Sequence, residues 1–472
     1  MAPPDQHVVI LGSGIVGLCT AYYILKLSPS ARVVVVEASP SGEIASGASR
    51  YAGGFIAGAW QDPPSLPLSA LSYTCHKELA AELGGADRWG YRECGATGLN
   101  VGSVDTERSA YRNLPGGKGR ESVGGKGDKL PTGTWVEGEK EELSLEGGVA
   151  QIDPADFCQT LYKHLTTAYS SRFSTVFGKP VDITPRSTTS TMRTLFVAPN
   201  PKFTSRTATF SLPLHTLVVA AGPWSAAVCA ELDLPPIPLT NLPGHSLLIR
   251  PAPHDDLLRR SGLKELPSEA VFAGISGAVG GVHASTSGLA RGLTEEEKRE
   301  GYTRSPELFV RTNGLIYVAG ENSIPSTSIG GVEKHFVAHG KAGGKKDRQL
   351  ELMNKLTPTV DDVKLLLDPA CVGRLKRAAG AVSPLLKEEN GAVIEKEQFC
   401  YRPVSPDREP IVGELEPGIL IATAHGPWGI TLAPGTGKVI AEKALGQRVS
   451  ADIYGLRPQR FEQQPPQIKA KL

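Results

Sequence analysis

The sequence has no surplus of charge of either sign. Lysine and arginine number 50 against 49 aspartate and glutamate, a formal net charge of +1. No global field therefore draws the chain to nucleic acid or to an anionic membrane surface. Seven cysteines (Cys19, Cys75, Cys94, Cys158, Cys229, Cys371 and Cys400) lie far apart with no C-x-x-C pair. An odd, scattered set in a large chain argues against a disulfide framework and for a reducing compartment. Nowhere does the chain approach the run of about eighteen apolar residues that a membrane-spanning helix needs. Residues 1–7 lack a positively charged start followed by an apolar stretch, so no secretory signal is expected. No internal repeat is visible. Together these absences predict a soluble, intracellular globular protein. Its 472 residues, 40% of them hydrophobic, leave room for two domains or for one large domain with a second woven into it.

Against that background the N-terminus is dense in signal. His7-Val8-Val9-Ile10-Leu11 is a short β-branched apolar run, as expected of a strand buried on both faces. The loop Gly12-Ser13-Gly14-Ile15-Val16-Gly17 follows as G-x-G-x-x-G, and Leu18 to Leu27 reads as a helix. Arg32 to Glu37 is a second buried strand that ends in an acid twenty residues beyond Gly17. Each part has a physical task in a dinucleotide site. Gly12 permits the tight turn, Gly14 lets backbone approach a pyrophosphate, and Gly17 allows helix and strands to pack closely. The N–H groups at the helix start, around Ile15 and Val16, hold phosphate charge. Glu37 would accept hydrogen bonds from ribose hydroxyls and disfavour a 2′-phosphate. The motif does not by itself separate FAD from NAD. The small-residue segment Ser46 to Phe55 that comes after the second strand could let the chain run along a long flat cofactor, or could be a surface loop.

Further blocks resemble the D-amino-acid-oxidase-like superfamily of FAD-dependent oxidoreductases, which includes glycine oxidase, sarcosine oxidase and D-amino-acid dehydrogenase. They are the loop Gly47 to Gly54, the turn Gly147-Gly148 leading to Asp153-Pro154, and the strand Leu217 to Gly222 with Pro223-Trp224. Near the C-terminus stand Arg402-Pro403 with Asp407, Pro410 and Gly413, then Ile419 to Thr436. The resemblance implies an α/β protein (α+β overall), in which a Rossmann-like FAD-binding domain of the glutathione-reductase type is interleaved with an antiparallel-sheet substrate domain. The FAD domain would take residues 1–58, 146–230 and 398–455, the substrate domain 59–145 and 231–397, and a flexible tail 456–472. Implied FAD contacts, beyond the N-terminal loop, are Ala48, Ser49, Arg50, Gly53, Gly54, Ala221, Gly222, Trp224, Gly426, Gly429, Ile430 and Thr431. Residues 60–145 and 235–395 match the family only loosely. There Val271 to Ile275 and Leu308 to Arg311 read as strands, the second returning through Asn313-Gly314 into Leu315 to Gly320 as a hairpin. Residues 115–147, 284–305 and 326–348, rich in Gly, Ser and charge, read as surface loops.

The implied reaction is oxidation of the C–N bond of a small amino acid or secondary amine, with O2 taken to H2O2. Passage of electrons to another acceptor, or a flavin protein that no longer turns over and serves a scaffold or trafficking role, are the alternatives. A substrate carboxylate is best gripped by a planar, bidentate cation, and Arg402 occupies the matching family position. His425 sits at the turn beside the expected flavin ring, either contacting it or packing against the glycine turn. Trp428 would wall the pocket or simply pack. Cys400 stands at an offset where some relatives attach FAD covalently and others do not. His245 faces the pocket or serves structure. His283, His335 and His339 lack acidic or cysteine neighbours at ligand spacing, so no metal site is expected. Ala470-Lys471-Leu472 resembles the Ser-Lys-Leu address read by the peroxisomal import receptor. Peroxisomal residence is the expectation, with the cytoplasm as the alternative if that ending is accidental.

Overall fold

The computed structural model describes residues 6–101, 135–143, 146–185, 191–275, 305–323 and 359–462. Among the described residues the chain forms three sheets. The largest runs, in spatial order, Phe210–Leu214, Arg193–Pro199, Phe173–Ile183, Arg32–Glu37, His7–Leu11, Thr216–Val219, Ile419–Thr423 and Ile411–Glu416. Its five central strands are parallel, and antiparallel strands close both edges. Parallel strands covered on both faces must be apolar throughout, as Val8 to Leu11 and Leu217 to Val219 are. Val8, Ile10 and Val218 join the core beneath helices Ile15–Leu27 and Gly429–Ala444, while Val9, Leu217 and Val219 join the opposite one.

This pairing decides where a ligand can sit. His7–Leu11 lies beside Thr216–Val219, which lies beside Ile419–Thr423. Three segments some two hundred residues apart thus end side by side at Gly12, Ala220-Ala221 and Ala424-His425. In open α/β sheets the crevice outside the carboxyl ends of the strands is where ligands bind.

The second sheet runs Val393–Val404, Thr240–Arg250, Ile316–Glu321, Glu307–Val310, Glu269–Ile275, Gly95–Val101 and Glu139–Glu142. It is antiparallel except where Glu269–Ile275 pairs parallel to Gly95–Val101, a register that the long intervening chain permits. Its axis is the eleven-pair ladder between Thr240–Arg250 and Val393–Val404, and the latter strand runs across residue 398. Side chains alternate across the sheet. Leu308, Val310, Ile316 and Val318 pack towards helix Pro369–Val382, while Phe309, Tyr317 and Ala319 take the other face. The expected hairpin is present, with Glu307–Val310 pairing Ile316–Glu321 across a turn where Gly314 has φ +78°.

Phe55–Ala57, Val149–Gln151 and Arg92–Glu93 form a small third sheet, in that order. It leads into helix Pro154–Ala168, whose N-cap Asp153 accepts the N–H groups of Ala155 (2.9 Å) and Asp156 (3.2 Å). The same carboxylate pairs with Arg311 at 2.5 Å, and Arg311 also donates to the Ala52 carbonyl. The hairpin is thereby tied to the small-residue loop.

The surface-loop reading of 115–147 needs correction over residues 135–143, while 115–134 and 144–145 lie outside the described residues. Trp135 and Val136 are buried, and Glu139–Glu142 pairs with Gly95–Val101. The Trp135 indole N–H donates to Glu269 at 3.0 Å, and the Ser383 hydroxyl donates to the Trp135 carbonyl at 2.6 Å. A charged edge strand looks like a loop by composition, because the charges that keep a sheet edge from pairing further also erase its apolar pattern. Residues 284–304 and 326–348 lie outside the described residues.

Candidate active site

At the end of the first strand the chain turns at Gly12, where φ is +105° and a Cβ would lie 2.6 Å from the Ala220 carbonyl oxygen. Glycine is required there on both counts. At Gly17 a Cβ would stand 2.1 Å from the Gly12 oxygen, so the helix packs directly beneath the loop. Gly14 is different: the nearest atom to a Cβ would be Ser49 Oγ at 3.3 Å. One side of the loop is thus open, and through it Gly14, Ile15 and Val16 face a cavity. Glu37 faces the same cavity. Its carboxylate is fixed by the Ser13 N–H (3.0 Å) and hydroxyl on one oxygen and by the Ser39 N–H (2.7 Å) on the other. An open glycine cradle at a helix start, with a fixed acid beside it, fits a pyrophosphate and an adjoining ribose.

A family model described as FAD dependent oxidoreductase matches residues 7–443. The chain belongs to that family. The Schizosaccharomyces pombe protein named "Putative oxidoreductase C1F5.03c" is 26% identical over 471 residues, covering 96% of this chain and 98% of its own. Glycine oxidase from Geobacillus kaustophilus superposes with a TM-score of 0.60 at 18% identity, over 96% of this chain and 99% of that one. L-Amino acid deaminase from Proteus myxofaciens superposes with a TM-score of 0.61 at 16% identity, over 98% and 95%. FAD is the family's cofactor.

In this FAD dependent oxidoreductase the cavity, about 490 Å³, runs from the glycine loop to Arg402. Gly12, Ala48, Ser49, Gly53 and Gly54 line it, as do Ala221, Gly222, Trp224, Gly426, Gly429 and Ile430. Trp428 and Cys400 also border it. The strand ends Ala221 and His425 and the loop 45–55 are thereby brought together from three parts of the chain.

Three expected contacts do not line the cavity. Gly17 lies beneath the loop. Arg50 folds back onto its own loop, paired with Glu43 and donating to the Ile44 carbonyl at 3.2 Å. Thr431 is fully buried and donates to the Phe55 carbonyl at 3.1 Å, tying the helix start to the small sheet. In the first turn of that helix Gly429 and Ile430 face the cavity, and the helical rotation carries Thr431 away from it.

At the far end, Arg402 donates through Nη2 to the Pro243 carbonyl (3.2 Å) and to Asn322 Oδ1, while its Nε is buried with no hydrogen-bond partner among the described residues. A buried guanidinium N–H left unpaired is costly, and an incoming carboxylate would satisfy it. Gly244, on the neighbouring strand, makes room for this side chain, since a Cβ there would stand 2.8 Å from Arg402 Nη2. Gly244→Ala is therefore expected to displace the guanidinium rather than the backbone. KM for a carboxylate substrate should rise about tenfold or more with flavin content unchanged, given how steeply rate falls with misplacement of a binding group. Steady-state kinetics beside the flavin absorbance of the purified variant checks this.

The other polar groups are more withdrawn. His425 is buried, its Nε2 lies 3.0 Å from Thr436 Oγ1, and burial lowers its pKa to about 4. His245 borders the cavity but accepts the Asp368 N–H through Nε2 at 3.1 Å, and burial lowers it to about 4 as well. Both rings are neutral at physiological pH. Burial raises the Cys400 thiol above its ordinary value, against the pull of Arg402.

Among the cavity residues that escaped the sequence reading is an acid. Glu307 lines the same cavity as Arg402, and burial raises its carboxyl pKa against the lowering effect of Arg402. The available signal was the alternation Glu307-Leu308-Phe309-Val310, which puts Glu307 and Phe309 on one face. Around it the wall is aromatic: Phe55 and Phe309 stack at 5.7 Å, and Phe309 and Tyr317 at 5.8 Å.

No group of potential metal ligands occurs among the described residues, nor is any described helix long and apolar enough to cross a membrane. His283, His335, His339 and the terminal Ala470-Lys471-Leu472 lie outside the described residues.

Proposed function

We propose that this chain oxidises the C–N bond of a small amino acid or secondary amine and hands the electrons to O2, releasing H2O2. The observation that carries the reading is Arg402, a half-buried guanidinium with an unpaired N–H on the wall of the cavity that begins at Gly14 and Glu37. Glycine oxidase and L-amino acid deaminase, two solved proteins of similar fold, act by name on amino acids.

Gly12, Gly14, the first turn of helix Ile15–Leu27 and Glu37 would hold the adenine-side phosphates and ribose of FAD. The N–H groups at the start of helix Gly429–Ala444 would stabilise negative charge at the other end. When bound, FAD supplies a two-electron acceptor for hydride from the substrate carbon. The protein's own work is positional. Arg402 grips the substrate carboxylate as a bidentate donor. Phe55, Phe309 and Tyr317 exclude water around the reacting carbon, which strengthens the grip. His425, neutral and engaged with Thr436, serves as packing beside the glycine turn.

Purified protein supplied with a panel of amino acids and secondary amines, assayed in air for H2O2 and separately for reduction of an artificial dye, tests this. Peroxide formed in step with substrate consumed is the expected result. Dye reduction without peroxide would overturn O2 as acceptor while leaving the amine reading standing. Neither signal with any amine would overturn the whole reading.

A further inference from the structure

Arg402 accounts for one charge of an amino acid, and the cavity contains an acid suited to the other. Glu307 stands on the cavity face of its strand, opposite Phe272 on one side and Ala319 on the other. Arg402 lines the same cavity, and its charge draws the Glu307 carboxyl down against the upward effect of burial. We propose that Glu307 receives the ammonium group of a zwitterionic substrate and takes its surplus proton, so that the pair Glu307 and Arg402 selects α-amino acids over carboxylic acids that lack an amine. This inference rests on the reading of Arg402 as the carboxylate site.

The geometry supports it in two ways. In an α-amino acid the ammonium and the carboxylate sit on one carbon, and a cavity lined by both a cation and an anion offers a partner to each. The surrounding faces of Phe309, Phe272 and Tyr317 are apolar or aromatic, and a cation there is favoured by the ring faces as well as by the acid. Hydride loss requires a neutral amine, and the step that provides it is a simple proton transfer. One N–H bond of the ammonium breaks, one O–H bond forms on the Glu307 carboxylate, and nothing is oxidised or reduced.

The other titratable groups on this wall do not compete. Tyr317 is pushed up to about 12 by burial, Cys400 is raised by burial, and His245 is lowered to about 4. All three are neutral near pH 7. Arg311, 5.5 Å from the Tyr317 ring, is already paired with Asp153. A carboxyl whose pKa burial raises is a better proton acceptor than an exposed one, and it can return the proton to solvent after turnover.

The test compares Glu307→Gln with the unaltered flavoprotein, using racemic alanine and propionate, which differ by the amine. Binding is read from the shift each causes in flavin absorbance under anaerobic conditions, and the rate of flavin bleaching by alanine is followed against pH. The variant should bind alanine at least tenfold more weakly, yet hold propionate within about twofold. Bleaching by alanine should slow about 100-fold near neutral pH, the usual worth of a positioned proton acceptor, and recover as pH rises through the amine's own titration. Should Glu307→Gln fail to hold flavin, Glu307→Asp carries the same comparison, with a smaller loss for alanine and none for propionate. Equal changes for both ligands, no change for either, or a slowing independent of pH would overturn the proposal. So would an unaltered protein that binds propionate but not alanine. If the unaltered protein binds neither, the Arg402 reading itself has failed.

Discussion

Replacing Arg402 with leucine should raise KM for a carboxylate-bearing substrate by two to three orders of magnitude while flavin stays bound at full occupancy. Truncating one partner of a buried, hydrogen-bonded charge pair typically costs about 2–5 kcal/mol, and about 1.4 kcal/mol is a factor of ten. The middle of that range gives the stated effect. Flavin retention follows from position, because Arg402 belongs to the second sheet and reaches the cavity at the end away from Gly14 and Glu37. Arg402→Lys should recover only part of the loss, since an ammonium cannot reproduce the planar two-pronged contact. Steady-state kinetics on amino acids, with flavin absorbance as the control, reads the effect. An unchanged KM would remove Arg402 from the substrate site.

The second large effect concerns the loop. Gly17→Ala places a methyl group 2.1 Å from the Gly12 carbonyl oxygen. Backbone rather than a mobile side chain lies in the way, so the loop must shift, and overpacking of this kind costs about 1–3 kcal/mol. Gly12 and Gly14 form the phosphate cradle, so the variant should purify with little flavin and a lowered Tm. Gly14→Ala provides the contrast. Its Cβ meets only Ser49 Oγ at 3.3 Å, so the fold of the flavin-free protein should hold while flavin affinity falls. Absorbance at the flavin band and thermal melts with and without added FAD separate the two outcomes. Stoichiometric flavin in Gly17→Ala would contradict the role given to that glycine.

The parts of the molecule legible in the sequence are those set by local chemistry. Gly12, Gly14 and Gly17 announce a turn, an approach and a close contact because only glycine satisfies each. The strands His7–Leu11 and Arg32–Glu37 announce burial on both faces through unbroken β-branched residues. Asp153-Pro154 announces a helix start through its capping carboxylate.

What stayed hidden depends on non-local partners or on side-chain direction. Arg50 lies within a cavity loop, yet Glu43, seven residues earlier, turns it back. Thr431 follows two cavity residues, but the helix rotation directs it to Phe55. Glu307 becomes a cavity acid only because Glu307–Val310 and Val393–Val404 belong to one sheet, separated by two intervening strands, and nothing local reports that. Trp135 and the edge strand Glu139–Glu142 were masked by their own charged and glycine-rich surroundings.

We propose that one cavity holds FAD at Gly14 and Glu37 and an amino acid or amine at Arg402. Anaerobic mixing of the purified flavoprotein with glycine, D- and L-amino acids, sarcosine, pipecolate and fructosyl amines, followed at the flavin absorbance band, tests it most directly. At least one of these should bleach the flavin, and Arg402→Leu should abolish bleaching by that compound at the same concentration. A flavin that no amine or amino acid bleaches, or bleaching that survives unchanged in Arg402→Leu, would contradict the account.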